Sequence, residues 1–191
     1  MTAHKIYGPK GVGALYVRRG IPIMPQINGG GQERRRRAGT ENVAGIVGFA
    51  RALSLVEQRR ADYVQQCSTL RNELIAGLLE RIPFSHLNGH PTQRLANNVN
   101  ICFNYVEGES VLLLLDQQGI AASSGAACTS GSLEASHVLL ALGMKEEEAI
   151  GSVRFSLGQS TTHADIDQVL QVMPGVIEQL RELSPAFISG Q

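Results

Sequence analysis

The 191-residue chain carries 17 Lys+Arg against 17 Asp+Glu, so no overall field draws it to nucleic acid or an anionic membrane, and any binding must be local. Its 43% apolar content is enough for a packed core in one domain, or in a domain with part of another. The three cysteines Cys67, Cys102 and Cys128 match neither a disulfide framework nor a structural zinc site, no apolar run approaches the roughly 18 residues of a membrane span, and Met1 opens into polar residues; a cytoplasmic chain is expected.

Residues 12–18 read as a short strand, because β-branched and aromatic residues follow the turn Gly8-Pro9-Lys10-Gly11. A loop then runs through Gly29-Gly30-Gly31 and the arginines 34–37 to Gly39-Thr40. From Glu41, Val43, Val47, Ala50, Leu53 and Val56 recur at the period of one buried helix face. Tyr63, Cys67, Leu70, Leu74 and Leu78 form a second stripe, with a bend or domain crossing expected at 57–62 and a loop at 83–91. Val99, Ile101, Phe103 and Tyr105 alternate with Asn98, Asn100, Cys102 and Asn104, which predicts a strand with one apolar and one polar face. Further on come a helix at 110–118, a short strand at 120–122 and a small-residue loop at 123–132. Two short helices follow, at 135–142, stopped by Gly143, and around 146–148. Residues 152–157 read as a strand that turns Arg154 away from Val153 and Phe155. Thr162 with Asp165 then caps a helix to about Leu183, in which Pro174 should introduce a kink.

Four places carry chemistry-bearing residues. Thr2, His4 and Lys5 put a hydroxyl, an imidazole and an amine within four positions, which suits an imine-forming lysine beside an anion, although a lysine at a chain start is commonly just solvated. Cys128 lies among small residues that would leave its thiol open, whereas Cys67 and Cys102 fit buried apolar roles; His137 and Arg154 are candidates for favouring the thiolate. The arginine run suits a solvated or interface loop, since aromatics make up only 5% of the chain and provide no stacking platform. Gly39-Thr40 offers either an anion site or an ordinary N-cap. Arg154, on a strand between serines, offers either a carboxylate grip or a structural ion pair.

Six separated blocks together resemble one family. They are 3–11 (AHKIYGPKG), 29–34 (GGGQER), 38–40 (AGT), 104–110 (NYVEGES), 123–130 (SSGAACTS) and 153–158 (VRFSLG), and they occur in the order found in cysteine desulfurases of the NifS/IscS group, which belong with class V aminotransferases and fold type I pyridoxal-phosphate (PLP) enzymes. The resemblance covers essentially the whole chain. It implies an α/β fold: a remnant of the large PLP-binding domain at 1–59, then the small C-terminal α/β domain at 60–191. It implies that Lys5 links the cofactor PLP, that Thr2 and His4 contact its phosphate, and that Thr40 reaches the phosphate in a neighbouring subunit. Arg154 would hold the substrate carboxylate and Cys128 would be the persulfide-forming nucleophile.

The implied reaction converts L-cysteine to L-alanine and passes sulfur through Cys128 to an iron–sulfur scaffold or another sulfur-acceptor protein. No resident metal is implied, and Cys128 is a candidate transient iron–sulfur ligand. Family members carry a long segment ahead of the Lys5 motif that holds the ring stacked on PLP, the aspartate at its pyridine nitrogen and most of the phosphate cradle. The chain alone is therefore expected to be poorly active and to need a homodimer or the missing N-terminal half. The alternatives are a non-catalytic module that binds a partner and a related PLP lyase such as a selenocysteine lyase.

Overall fold

The computed structural model describes residues 1–124 and 135–188. The chain divides into two compact units, Met1–Ala61 and Asp62–Gln191, and helix α2 (Val43–Arg81) runs through the boundary without a break at 57–62. No helix among the described residues is long and apolar enough to cross a membrane.

In the first unit a 3-10 turn, Ala3–Ile6, is followed by the short turn α1 (Gln32–Arg35) and the start of α2. The strand expected at 12–18 is reduced to one bridge, Thr2 to Gly13. A strand needs a neighbour to complete its ladder, and here Leu15 and Tyr16 stand in solvent instead. Helical periodicity at the start of α2 is as expected, but the buried face is Gly45, Phe49 and Ala52, while Val43, Val47 and Leu53 are exposed. Close packing selects that face. A Cβ on Gly48 would come within 2.6 Å of Pro9 Cγ, and one on Gly8 within 3.1 Å of Ala52 Cβ, so the Gly8-Pro9 turn can lie only against small residues. Asn42 caps the helix through its side-chain oxygen, which accepts from Gly45 N at 3.0 Å. Thr40 is therefore not the cap.

The second unit is an antiparallel sheet of order β1-β2-β4-β3, made of β1 (Ser85–Leu87), β2 (Asn98–Phe103), β3 (Ser123–Ser124) and β4 (Ser152–Ser156). Around it lie α3 (Gly108–Gln117), the short α4 (His137–Ala141) and α5 (Glu146–Ile150), α6 (His163–Glu182) and the terminal turn α7 (Pro185–Ile188). Val99, Ile101, Phe103, Val153 and Phe155 point to one face, where they share a core with Leu70, Leu74 and Leu78 of α2, Val111 and Leu115 of α3, and Ile166, Leu170, Met173 and Ile177 of α6. The opposite face carries Asn98, Asn100 and Cys102 beside Ser152, Arg154 and Ser156, as the alternation requires. Strand β1 was expected to be loop, and β3 lies just past the expected 120–122 strand.

The buried Arg71 and Arg181 and the half-buried Arg94 hold this unit together by donating to backbone carbonyls. Arg181 gives Nε to Asn104 O (3.1 Å) and Nη2 to Phe84 O (3.3 Å), and its guanidinium lies over the Phe84 and Phe187 rings. It thereby pins two tight corners, at Phe84 and Tyr105, whose φ values are positive. Arg94 donates to Asn98 O and Asn88 O, and Arg71 to Leu95 O, bracing the connection between β1 and β2. Burial, and then the charge of Arg71, lower the Arg94 pKa from its ordinary value.

Helix α6 begins in a capping box: Thr162 and Asp165 exchange hydrogen bonds, which lower the Asp165 carboxyl pKa. It then continues through Pro174. A proline there cannot donate to the carbonyl four residues back, that of Leu170, and this orphan acceptor is taken by Arg81 Nη1 at 3.0 Å. Arg81→Met should therefore destabilise the chain by about 1–2 kcal/mol. In a Pro174→Ala background, where the new N–H can serve Leu170, the same change should cost clearly less. Urea unfolding of the four members of this cycle checks the coupling, and equal Arg81 effects in both backgrounds would refute it.

Candidate functional site

Thr2, His4 and Lys5 sit on a turn of the first unit whose backbone is held by several hydrogen bonds. Ala3 N donates to Val12 O at 3.0 Å, Gly8 N to Ala3 O at 2.9 Å, and Ala14 N to Met1 O at 2.9 Å. Ala3 is completely buried and anchors the turn; Thr2, His4 and Lys5 around it are exposed. Tyr7 closes the turn in the left-handed region at φ 63°, and Gly8 follows because a Cβ there would lie 3.0 Å from Ala3 O. No side-chain hydrogen bond or ion pair engages Thr2, His4 or Lys5 among the described residues, so an amine, an imidazole and a hydroxyl are displayed together with their polar capacity unspent.

Thr40, in the same unit, is exposed and likewise makes no side-chain hydrogen bond among the described residues. It follows Gly39, at φ 111°, whose N–H donates to Gln32 Oε1 at 3.1 Å. The arginines 34–37 are exposed, and Glu33, Arg34 and Arg35 all adopt positive φ, a left-handed turn that each non-glycine residue resists. Arg37 Nη1 donates to Ala38 O.

In the second unit, Arg154 occupies the polar face of β4 between its cross-strand partners Asn100 on β2 and Ser123 on β3. Its Nη2 donates to Ser123 Oγ at 3.0 Å, whereas its buried Nε has no hydrogen-bond partner among the described residues. An ion pair is the alternative role for this arginine, and no acidic partner for it occurs among the described residues. Ser152 and Ser156 are its sequence neighbours on this face, yet the contact goes to Ser123. The signal was present in the run Ile120-Ala121-Ala122-Ser123-Ser124: continuing the expected strand by two residues pairs Ser123 with Arg154. Cys128 lies outside the described residues, and His137 is exposed at the start of α4.

The other two cysteines are buried. Cys67 lies on the α2 stripe, its thiol directed at Gly158 O. Cys102 donates to Glu148 O at 2.8 Å. Burial pushes its thiol from the ordinary 9.0 up to about 11, against a smaller downward pull from a Ser152 hydrogen bond and with the Glu148 charge adding to the rise. A thiol held protonated in this way is a poor nucleophile, so Cys102 is a packing residue.

The model of the aminotransferase class-V family matches residues 1–169. The cysteine desulfurase IscS of Methanosarcina thermophila is 55% identical, over 97% of this chain and 46% of its own length. Cysteine desulfurase 2 of Trichormus variabilis is 53% identical over the same shares. Among solved structures, a NifS-like protein superimposes with a TM-score of 0.79 at 36% identity, covering 93% of this chain and 44% of its own. DndA from Streptomyces lividans superimposes with a TM-score of 0.62 at 38% identity, over 81% of this chain and 44% of its own. The chain thus spans just under half the length of the curated relatives it matches.

The raised Cys102 pKa has a consequence for stability. Because the folded thiol keeps its proton up to about 11 while the unfolded one releases it near 9.0, the contribution of Cys102 is complete below about pH 9 and is lost as pH rises toward about 11. Urea midpoints measured across this window should fall with pH, and Cys102→Ala should flatten that fall even though the cavity lowers stability at every pH. An unchanged slope in the variant would assign the effect elsewhere.

Proposed function

Because the chain belongs to the class V aminotransferase family, we propose that it is the portion of a cysteine desulfurase that supplies the cofactor lysine, Lys5, the carboxylate-binding arginine, Arg154, and the sulfur-accepting cysteine, Cys128. The reading rests above all on unspent polar groups: Thr2, His4 and Lys5 exposed on one anchored turn, and a buried Arg154 Nε that no described residue satisfies. The names of the relatives agree with it.

The turn suits PLP by the chemistry of its donors. A primary amine stands two positions after Ala3, whose burial fixes the backbone, so Lys5 Nζ can reach an aldehyde carbon while the Thr2 hydroxyl and the His4 imidazole serve the phosphate. When bound, PLP supplies an electron-withdrawing ring that stabilises negative charge at the substrate Cα. Lys5 Nζ then carries a proton to and from that carbon, and Thr40 donates to the phosphate of a neighbouring subunit.

Arg154 grips the α-carboxylate of L-cysteine and fixes its orientation. Cys128 Sγ, as thiolate, attacks the substrate sulfur. A sulfur–sulfur bond forms as the Cβ–S bond breaks, the electron pair stays with the carbon skeleton, and protonation at Cβ releases L-alanine. Cys128 keeps the transferred sulfur as a persulfide for an iron–sulfur scaffold or a thiolation acceptor in the cytoplasm.

The first unit leaves an apolar set, Leu15, Tyr16, Met24, Val43 and Val47, in solvent. Association with a second copy, or with the segment that completes the length of the relatives, covers it. With PLP, L-cysteine and that completing segment present, Cys128 should gain one sulfur atom by mass spectrometry while alanine appears. Lys5→Ala should abolish both products, and Cys128→Ala should abolish the modification. A persulfide that still forms in Lys5→Ala, or alanine release that ignores both changes, would refute the assignment.

A further inference from the structure

The contact between Ser123 and Arg154 is the one side-chain hydrogen bond the structure gives this guanidinium among the described residues. Ser123 spends its own hydroxyl proton on Ser124 O at 3.0 Å. A serine hydroxyl has a single hydrogen, so the oxygen facing Arg154 can only accept, which matches it to a group that can only donate. The antiparallel register fixes this meeting, since Ser123 is the direct cross-strand partner of Arg154. On the other side of Arg154 stands Asn100, and the asparagine's side-chain oxygen is already engaged by Asn88 Nδ2 at 2.6 Å. Among the described residues of this row, the serine is the group that accepts from the guanidinium.

We propose that Ser123 is the positioning residue for Arg154, holding Nη2 so that the buried Nε–H stays presented to the α-carboxylate of an amino acid; the inference rests on the carboxylate-binding reading of Arg154. Two observations meet here. Arg154 Nε is buried without a partner among the described residues, an arrangement that a carboxylate oxygen resolves. Arginine also carries large rotamer freedom, and a fixed Nη2 removes part of the ordering that binding would otherwise require. Loss of the hydroxyl leaves the backbone pairing of β3 intact while the guanidinium becomes free to turn.

The test compares Ser123→Thr with Ser123→Val in the full chain. These replacements have the same shape, both suit a strand, and they differ only in the hydroxyl. In arginine-15N-labelled protein the Arg154 Nε–H resonance is identified by its disappearance in Arg154→Lys, and L-alanine is titrated as the carboxylate probe. The wild type and Ser123→Thr should show a saturable shift of this resonance with matching affinity, and Ser123→Val should bind about tenfold more weakly, as expected for a lost hydrogen bond to a charged group. Equal affinity in the Thr and Val variants would overturn the positioning role while leaving the carboxylate site standing, and so would failure of Thr to match the wild type. A wild-type resonance indifferent to L-alanine would overturn the carboxylate reading itself, and the role of Ser123 with it.

Discussion

The antiparallel pairing of β2 with β4 is the constraint from which the rest of the second unit follows. Val99 faces Phe155 and Ile101 faces Val153, so one face of the sheet is apolar and closes onto helices α2, α3 and α6. The same register puts Asn100 opposite Arg154, on the other face, and β3 extends that row to Ser123. Since side chains alternate, a slip of one residue would drive the guanidinium into the core, where an unpaired charge costs several kcal/mol. Packing and chemistry are therefore selected together: the hydrophobic residues that specify the register also aim the arginine.

The first unit solves a comparable problem without a sheet. Its turn at residues 3–8 is fixed by one buried methyl group, that of Ala3, and by glycines that let the backbone close on itself and on α2. Small residues at Gly8, Gly48 and Ala52 make the approach possible; larger ones would lift the turn off the helix. With the backbone held from beneath, the side chains of Thr2, His4 and Lys5 face outward.

What the sequence made legible follows the same division. Strands β2 and β4, helix α3 and the Thr162 cap of α6 were readable because alternation, helical period and capping are local patterns that the core then enforces. Strand β1 was not, since Ser85, His86 and Leu87 carry no alternation and owe their conformation to pairing with Phe103, Cys102 and Ile101. The buried face at the start of α2 was misjudged for a related reason: hydrophobicity favours Val43, Val47 and Leu53, but Gly45, Phe49 and Ala52 are buried, and the Gly8-Pro9 turn packs closely on the small residues Gly48 and Ala52. Likewise a kink at Pro174 was expected from its missing N–H, but the donor that takes the freed Leu170 carbonyl, Arg81, lies 89 positions from Leu170 in the chain. For the candidate site, residue types and motif order singled out Thr2, His4, Lys5, Thr40, Cys128 and Arg154 as proposals. The contact of Arg154 with Ser123 became visible only once the strands were paired.

Hydrogen-bond accounting separates structural from functional polar groups here better than residue type does. Arg71, Arg81, Arg94 and Arg181 each give a donor to a main-chain carbonyl, closing a loop, a helix defect or a tight corner, and Arg71 spends two more on Asn72 Oδ1. They brace the fold and have little left to offer a ligand. Arg154 differs: one donor rests on a serine hydroxyl, and another is buried with nothing to receive it among the described residues. A fold gains no stability from burying a donor that it does not satisfy, because the lost hydration is uncompensated. An anion with two oxygens in a plane would complete such a donor, and the carboxylate-binding role proposed for Arg154 rests on this.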